Sequence, residues 1–290
     1  MDTKPEHFAD GLHFPECPRW HDGALWVSDM WAHTVLRFEP DGSRHAVHAF
    51  GEDEEPGGLG WLPDGRLVVV GMEGRRLYRL DEGTATLYAD LSGLAPWSLN
   101  DMVVTGDGNA YVSQIGFDIH GGSTPLAPTT LLRVTPGGEP LVAAEEMVVP
   151  NGIALSGDGG TMVVAETFAA RLSRFRVEAD GSLTERQVFA EIAPVAGRRR
   201  AGPDGICLDE AGGAWVAEWI GRRVLRVEAG GAVTDEISFD VHPLAVALGG
   251  PDRRQLFICL CAQIGKRDRK PEPLGAIAVL PVDIPGAGEP

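Results

Sequence analysis

Four oxygen-bearing side chains recur at one place in this 290-residue sequence: Glu16 in FPECPRW, Asn100 in WSLNDMVV, Asn151 in VVPNGIAL and Asp204 in AGPDGICL. The first three stand six or seven residues ahead of an Asp-bearing turn, at Asp22, Asp107 and Asp158. Asp204 fills the matching place in a unit whose turn is spelled differently, DEAGG. Two carboxylates and two amides brought to one point form a hard-oxygen donor set. Such a set suits a divalent cation, Ca²⁺ first, with Mg²⁺, Mn²⁺ and Zn²⁺ also admitted. Buried carboxylates without such an ion are expensive. A second reading stands beside this one. Asn151-Gly152 and Asp204-Gly205 are also turn-forming pairs, and only Glu16, between Pro15 and Cys17, has no turn role.

The elements that must position these residues are visible as a repeat. A turn built on Asp and Gly, followed by a short β-rich run, recurs six times: HDGALWVSD (21–29), PDGRLVVVG (63–71), GDGNAYVSQ (106–114), GDGGTMVVAE (157–166), DEAGGAWVAE (209–218) and GPDRRQLFICL (250–260). The turns follow one another at intervals of 42 to 51 residues. Each copy leads into a second run, such as TVLRFEPDG (34–42) or RVLRVEAGG (223–231), and most into a third. A preceding run such as NGIALS (151–156) opens the unit. Four strands at this period mean propeller blades. The expectation is an all-β fold, a six-bladed β-propeller with four antiparallel strands per blade and a single domain over 1–290. The sixth unit has no run after Asp283, so residues within 4–12 are expected to supply its outer strand and close the ring. The innermost strand of a blade lines the central channel, and the four oxygen-bearing residues fall at its start. In the second unit the same place is Gly57 or Gly58, and in the sixth it lies near Pro243 and Ala245.

Composition agrees and excludes other classes. Gly (38) and Pro (21) make up about a fifth of the chain, against an average near 12 %, which points to many tight turns. The formal net charge of −17 argues against nucleic acid and anionic membranes as partners. No apolar stretch approaches the roughly 18–20 residues that span a bilayer, and the N-terminus has no basic head before an apolar core, so a cytoplasmic location is expected. Four cysteines, Cys17, Cys207, Cys259 and Cys261, do not make a disulfide framework. Three of them lie in apolar runs and read as small buried hydrophobes.

At these residues the sequence resembles the family of senescence marker protein, gluconolactonase and luciferin-regenerating enzyme, which includes regucalcin. The resemblance covers essentially the whole chain. It is carried by ECPRWHDGALWVSD (16–29), NDMVV (100–104), PNGIAL (150–155) with VVAET (163–167), and PDGICLDEAGGAWVAE (203–218). It implies a six-bladed propeller with a divalent metal held by Glu16, Asn151 and Asp204, and Asn100 reaching the substrate or the metal's outer shell. The implied chemistry is hydrolysis of a lactone or related ester, with Asp204 as the general base. Two departures stand out. Sugar-lactone members carry Arg where this chain has Ser98, so an apolar or unusual substrate is expected in place of an aldonolactone. The usual Gly after the metal-binding Glu is Cys17.

Further candidates flank the channel mouth. The Gly-rich segment 114–130 offers Phe117, Asp118 and His120 as substrate contacts, with a plain surface loop as the alternative. His242 reaches the mouth from the sixth unit, either for the substrate or as a hydrogen-bonded packing residue. Trp31, Trp97 and Trp219 are candidates for an apolar wall. Asp29, Glu166 and Glu218 end equivalent strands and either face the channel or cap strand ends. Arg198-Arg199-Arg200 is a charged loop ahead of Asp204. No G-x-S-x-G, HEXXH or P-loop pattern is present. The alternatives to a hydrolase are a metal-dependent lyase, cyclase or dehydratase at the same site, and a non-enzymatic Ca²⁺-binding propeller.

Overall fold

The computed structural model describes residues 4–118, 125–265 and 272–288. Its strands form six four-stranded antiparallel sheets, the blades of a six-bladed β-propeller. In blades 1 to 5, chain order is also the order from axis to rim. Their inner strands are Pro15–His21, Pro56–Trp61, Leu99–Val104, Pro150–Leu155 and Pro203–Leu208. With His242–Gly249 of blade 6 they pack on one another in a closed circuit around the channel. Blade 6 is composite. Glu6–Leu12 from the N-terminus pairs with Gly275–Pro281 as its outer strand, from Glu6 opposite Val279 to Leu12 opposite Gly275. The ring is closed as its unpaired sixth unit predicted, by a ladder between the two ends of the chain. Among the described residues, no helix is long and apolar enough to cross a membrane.

The recurrent Asp has a local cause. Asp64, Asp158 and Asp252 accept hydrogen bonds from the backbone N–H two residues on, at 3.1, 2.9 and 3.2 Å. These Asx turns fix the hairpin between a blade's first two strands. The core lies between blades. Each blade-to-blade face carries its own apolar cluster, because an inner or second strand is covered on both sides. At the seam, Trp20 of blade 1 stacks on Phe257 of blade 6 at 5.4 Å, and Phe8 of the closing strand meets the same ring edge-on at 5.1 Å.

One irregularity recurs in every blade and positions the site. The register between the inner strand and its neighbour slips at the strand's start: between Glu16 and Arg19, Pro56 and Leu59, Leu99 and Met102, Pro150 and Ile153, Pro203 and Ile206, and Pro243 and Ala245. A bulge re-aims the side chain beside it. The second residue of each inner strand therefore occupies one level of the axis: Glu16, Gly57, Asn100, Asn151, Asp204 and Pro243. Asn151-Gly152 and Asp204-Gly205 lie inside strands, so the turn reading of these pairs gives way. Their glycines serve close approach instead. A Cβ on Gly152 would stand 2.6 Å from the Asp204 carbonyl oxygen, and one on Gly205 would stand 2.4 Å from the Ala245 Cβ.

Candidate metal and substrate site

A cavity of about 540 Å³ opens at the end of the channel where the inner strands begin, and Glu16, Asn100, Asn151 and Asp204 all line it. Glu16 and Asp204 are 9 % and 8 % exposed. Neither forms an ion pair with a described residue. Among the described residues, the Glu16 carboxylate accepts only the N–H of Cys17, at 3.1 Å. Burial, followed by the Asp204 charge, pushes its carboxyl well above the ordinary range. Burial also pushes Asp204 up, to about 8, against a hydrogen bond from the Asn151 amide. Two buried acids that repel each other, beside an amide, are what a divalent cation would relieve. The donor set of Glu16, Asn151 and Asp204 thus fits a hard cation. No group of three His, Cys, Asp or Glu poised to hold a metal occurs among the described residues; this set has two carboxylates and draws its third oxygen from an amide.

Thr167 ties two of these strands together. The Asn151 amide donates to its hydroxyl at 3.2 Å, and the hydroxyl donates to the Pro203 carbonyl at 2.9 Å. Thr167 sits in a short 3₁₀ turn, Thr167–Ala169, that follows the second strand of blade 4 and closes with Ala170 at φ +53°. The equivalent turn in blade 1, Met30–Ala32, closes with His33 at φ +55°. Both turns deliver wall residues, Met30 and Trp31 from one and Phe168 from the other. Trp31 stacks on Phe14 at 4.2 Å. Phe117, Trp219 and Leu244 continue the wall. No Lys, Arg or His lines the cavity among the described residues, and its remaining acids are Glu55 and Glu73.

Other candidates fall elsewhere. Ser98 does not line the cavity; its hydroxyl donates to Glu73 at 3.1 Å. Asp118 is half-buried beside the wall and Trp97 stands outside it. His120 lies outside the described residues. His242 is not a wall residue. Its Nδ1–H donates to the Trp219 carbonyl at 2.8 Å, the packing role open to it from sequence. Arg200 of the charged loop stands 5.1 Å over the Phe168 ring. Cys17 holds φ at +50°, in the left-handed region that favours glycine. Burial, then the charges of Asp101 and Glu16, push its thiol up, so it stays protonated.

Asp29, Glu166 and Glu218 are caps. Asp29 accepts the N–H groups of His13 and Phe14, the latter at 2.8 Å. Glu166 accepts from the Val148 N–H, Arg171, Arg186 and Ser173. Glu218 accepts from the Gly202 and Gly221 N–H groups and from Arg223. In blade 2 this position is Gly71, and Glu54 enters from a loop to accept the Glu73 N–H at 2.9 Å. Sequence reasoning missed Asp101 and Arg19, both buried under the site and hydrogen-bonded to each other at 2.7 Å. It also missed Thr167, Glu55 and Glu73. The NDMVV motif held Asp101 in plain view, but strand alternation gave no reason to aim it at the channel.

Comparison with known proteins covers most of the chain. The family model described as the SMP-30/Gluconolactonase/LRE-like region matches residues 14–262. The chain is 31 % identical to a 6-deoxy-6-sulfogluconolactonase of Pseudomonas putida, over 95 % of this chain and 93 % of that protein. It is 26 % identical to a pentonolactonase of Haloferax volcanii, over 84 % and 80 %. Among solved structures, a luciferin-regenerating enzyme superposes with a TM-score of 0.80 at 18 % identity, covering 99 % of this chain and 98 % of the other.

Proposed function

Because the chain belongs to the SMP-30/gluconolactonase/LRE-like family, we propose that it hydrolyses a lactone or related ester in the cavity at the channel mouth, with one divalent cation held by Glu16, Asn151 and Asp204. The observation that carries this reading is the pair of buried acids, Glu16 and Asp204, facing a cavity with no cationic side chain among its described walls. Calcium heads the candidates for an all-oxygen set, with magnesium, manganese and zinc behind it. When bound, the cation supplies polarisation of the substrate carbonyl and the positive charge that keeps both carboxylates ionised.

The chain's own residues do the rest. The Asp204 carboxylate takes a proton from the attacking water and returns it to the ring oxygen as the acyl–oxygen bond breaks, so that one water is consumed and one hydroxy acid leaves. The Asn100 amide, at the same level of the axis, donates a hydrogen bond to the substrate. Thr167 holds Asn151 in register with the strand that carries Asp204. Phe14, Trp31, Phe117, Phe168 and Trp219 favour an apolar or aromatic body over a polyhydroxylated one.

The test is elemental analysis of the purified protein beside Glu16→Gln and Asp204→Asn, followed by a lactone panel with product mass. Metal in the parent, its loss in both variants and a product heavier by one water support the reading. An isomeric product, or one that has lost a small molecule, moves the chemistry to a lyase or cyclase. A parent that takes up no metal on loading defeats the cation site.

A further inference from the structure

Beneath the level of Glu16 and Asp204 the Arg19 side chain links two blades across the channel. Arg19, three residues along the inner strand of blade 1 from Glu16, reaches past blade 2 to blade 3. Its Nη2 donates to Asp101 Oδ1 and to the Met102 carbonyl, both at 2.7 Å, and its Nη1 donates to the Pro18 carbonyl at 2.9 Å. Side-chain exposure is 6 % for Arg19 and 5 % for Asp101. The bulge between Glu16 and Arg19 is needed for this, because regular alternation would turn residues three apart to opposite faces. Blade 2 packs its inner strand, which begins Pro56-Gly57-Gly58, directly on the blade 3 backbone that carries Asp101. A Cβ on Gly58 would stand 2.1 Å from the Met102 N and 2.6 Å from the Asp101 carbonyl carbon.

Asp101 is bonded on every side. Its Oδ1 also accepts the Met102 N–H at 2.8 Å, and its Oδ2 accepts the Ile153 N–H of blade 4 at 3.2 Å. The backbone N–H of Asp101, stranded by the bulge, donates to Ser113 Oγ at 2.9 Å. One carboxylate therefore joins the inner strands of blades 1, 3 and 4, the strands that carry Glu16, Asn100 and Asn151. Below it, Arg19 lines a separate small cavity of about 60 Å³.

We propose that the Arg19–Asp101 pair is a positioning element that locks these three strands in register and so fixes the spacing of Glu16, Asn100 and Asn151. The inference rests on the cation site proposed above and goes beyond it. Charge balance alone makes the opposite forecast for one variant, which makes the two roles separable. Removing both charges together leaves the net charge under the site unchanged, so a purely electrostatic role predicts unaltered cation binding. A positioning role predicts loss, because the three-strand link is gone. Arg19→Lys separates the roles again, since it keeps the charge and loses the planar fork that meets two acceptors.

The experiment is Mn²⁺ titration of the parent, Arg19→Lys and the double variant Arg19→Met/Asp101→Leu at one pH, with melting curves of the metal-free proteins and kcat and KM on a lactone the parent hydrolyses. The expected result is Mn²⁺ binding weakened about tenfold or more in both variants, about 1.4 kcal/mol, with the fold retained and kcat reduced more than KM is changed. A folded double variant that binds Mn²⁺ within twofold of the parent overturns the proposal. So do variants that fail to fold, which assign the pair to the ring and not to the site. A parent that binds no Mn²⁺ defeats the cation site itself, an outcome read before any variant is compared.

Discussion

Two sets of buried acids stand at the channel end of this propeller, Glu16 and Asp204 at the starts of inner strands and Asp29, Glu166 and Glu218 at the ends of second strands, and their neighbours differ completely. Glu166 and Glu218 end second strands with no side-chain exposure. Each is saturated by backbone N–H groups and arginines. Burial pushes the Glu166 carboxyl up, but bonds from Arg171, Ser173, the Val148 N–H and Arg186 outweigh it and hold it below the usual range. Glu16 and Asp204 begin inner strands, are nearly as buried, and meet each other across the channel mouth in place of an arginine. Burial pushes both up, helped at Glu16 by the Asp204 charge and at Asp204 by the Asp101 charge. The difference teaches that burial alone does not separate a structural acid from a functional one. The separating feature is whether the fold supplies the compensating charge or leaves it to a ligand.

The sharpest way to break the comparison is to neutralise one acid of the inner set. Asp204→Asn is expected to lower kcat by about 10³-fold, within the range for loss of a general base, and to abolish metal uptake. The metal-free variant should melt no lower than the metal-free parent, because the amide removes a buried carboxyl that folding must hold protonated at neutral pH. A clear fall in melting temperature would place Asp204 with the caps. The same treatment of the outer set should do the reverse. Glu166→Gln leaves Arg171 and Arg186 facing a neutral amide and is expected to cost about 3 kcal/mol of stability, as for a broken buried pair. Turnover per folded molecule should stay near the parent's. Denaturant melts and a rate normalised to folded fraction check both halves.

The contrast explains what the sequence reveals and what it hides. The level of Glu16, Asn100 and Asn151 is legible because the turn Asp measures a fixed distance back along each inner strand. It blurs in blade 5, where DEAGG replaces the usual turn, although Asp204 still falls second in its strand. Closure by Glu6–Leu12 is legible from the missing run after Asp283. The Asn-Gly and Asp-Gly pairs mislead, because glycine there answers a neighbouring strand 2.6 Å from a hypothetical Cβ and no turn. Arg19 and Asp101 stay hidden because their partnership spans 82 residues and depends on a bulge that no local pattern announces. The roles of Asp29, Glu166 and Glu218 stay open in sequence, since both sets are acids at strand ends. Only the arrival of arginines and loop N–H groups from other elements decides them.

pH should move the two sets in opposite directions. Asp204 has a folded pKa of about 8 in the metal-free protein, against about 3.9 for an unfolded Asp. A carboxyl raised on folding favours the folded state while protonated, so its contribution is fully present below about 4 and is lost as pH rises toward 8. Glu166, lowered on folding, contributes above the unfolded value of about 4.3 and loses that contribution as pH falls through its folded pKa. Cation binding must displace the Asp204 proton, which alone makes apparent affinity rise by about tenfold per unit between pH 6 and 8, and the raised Glu16 carboxyl steepens that rise. Mn²⁺ titrations across that range test this. An affinity independent of pH would mean that Asp204 is already ionised without the metal.

The smallest expected effect concerns a residue that sequence places with the inner set and geometry places with the outer one. His242 opens the inner strand of blade 6 and stands next to Pro243, which occupies the axial level of Glu16 and Asp204. Its Nδ1–H is spent on the Trp219 carbonyl at 2.8 Å, and its ring lies 6.2 Å from the Trp219 ring. It therefore acts as the caps do, tying the rim of blade 5 to blade 6, and it touches the cavity only through Trp219, a wall residue. His242→Ala should cost about 1 kcal/mol, the net worth of one such hydrogen bond, and change kcat less than threefold. Any effect on KM should follow the bulk of the lactone's apolar body, because the substitution loosens the Trp219 wall and leaves the carboxylates alone. A large fall in kcat with the fold and metal uptake retained would instead return His242 to proton transfer and enlarge the inner set by one member.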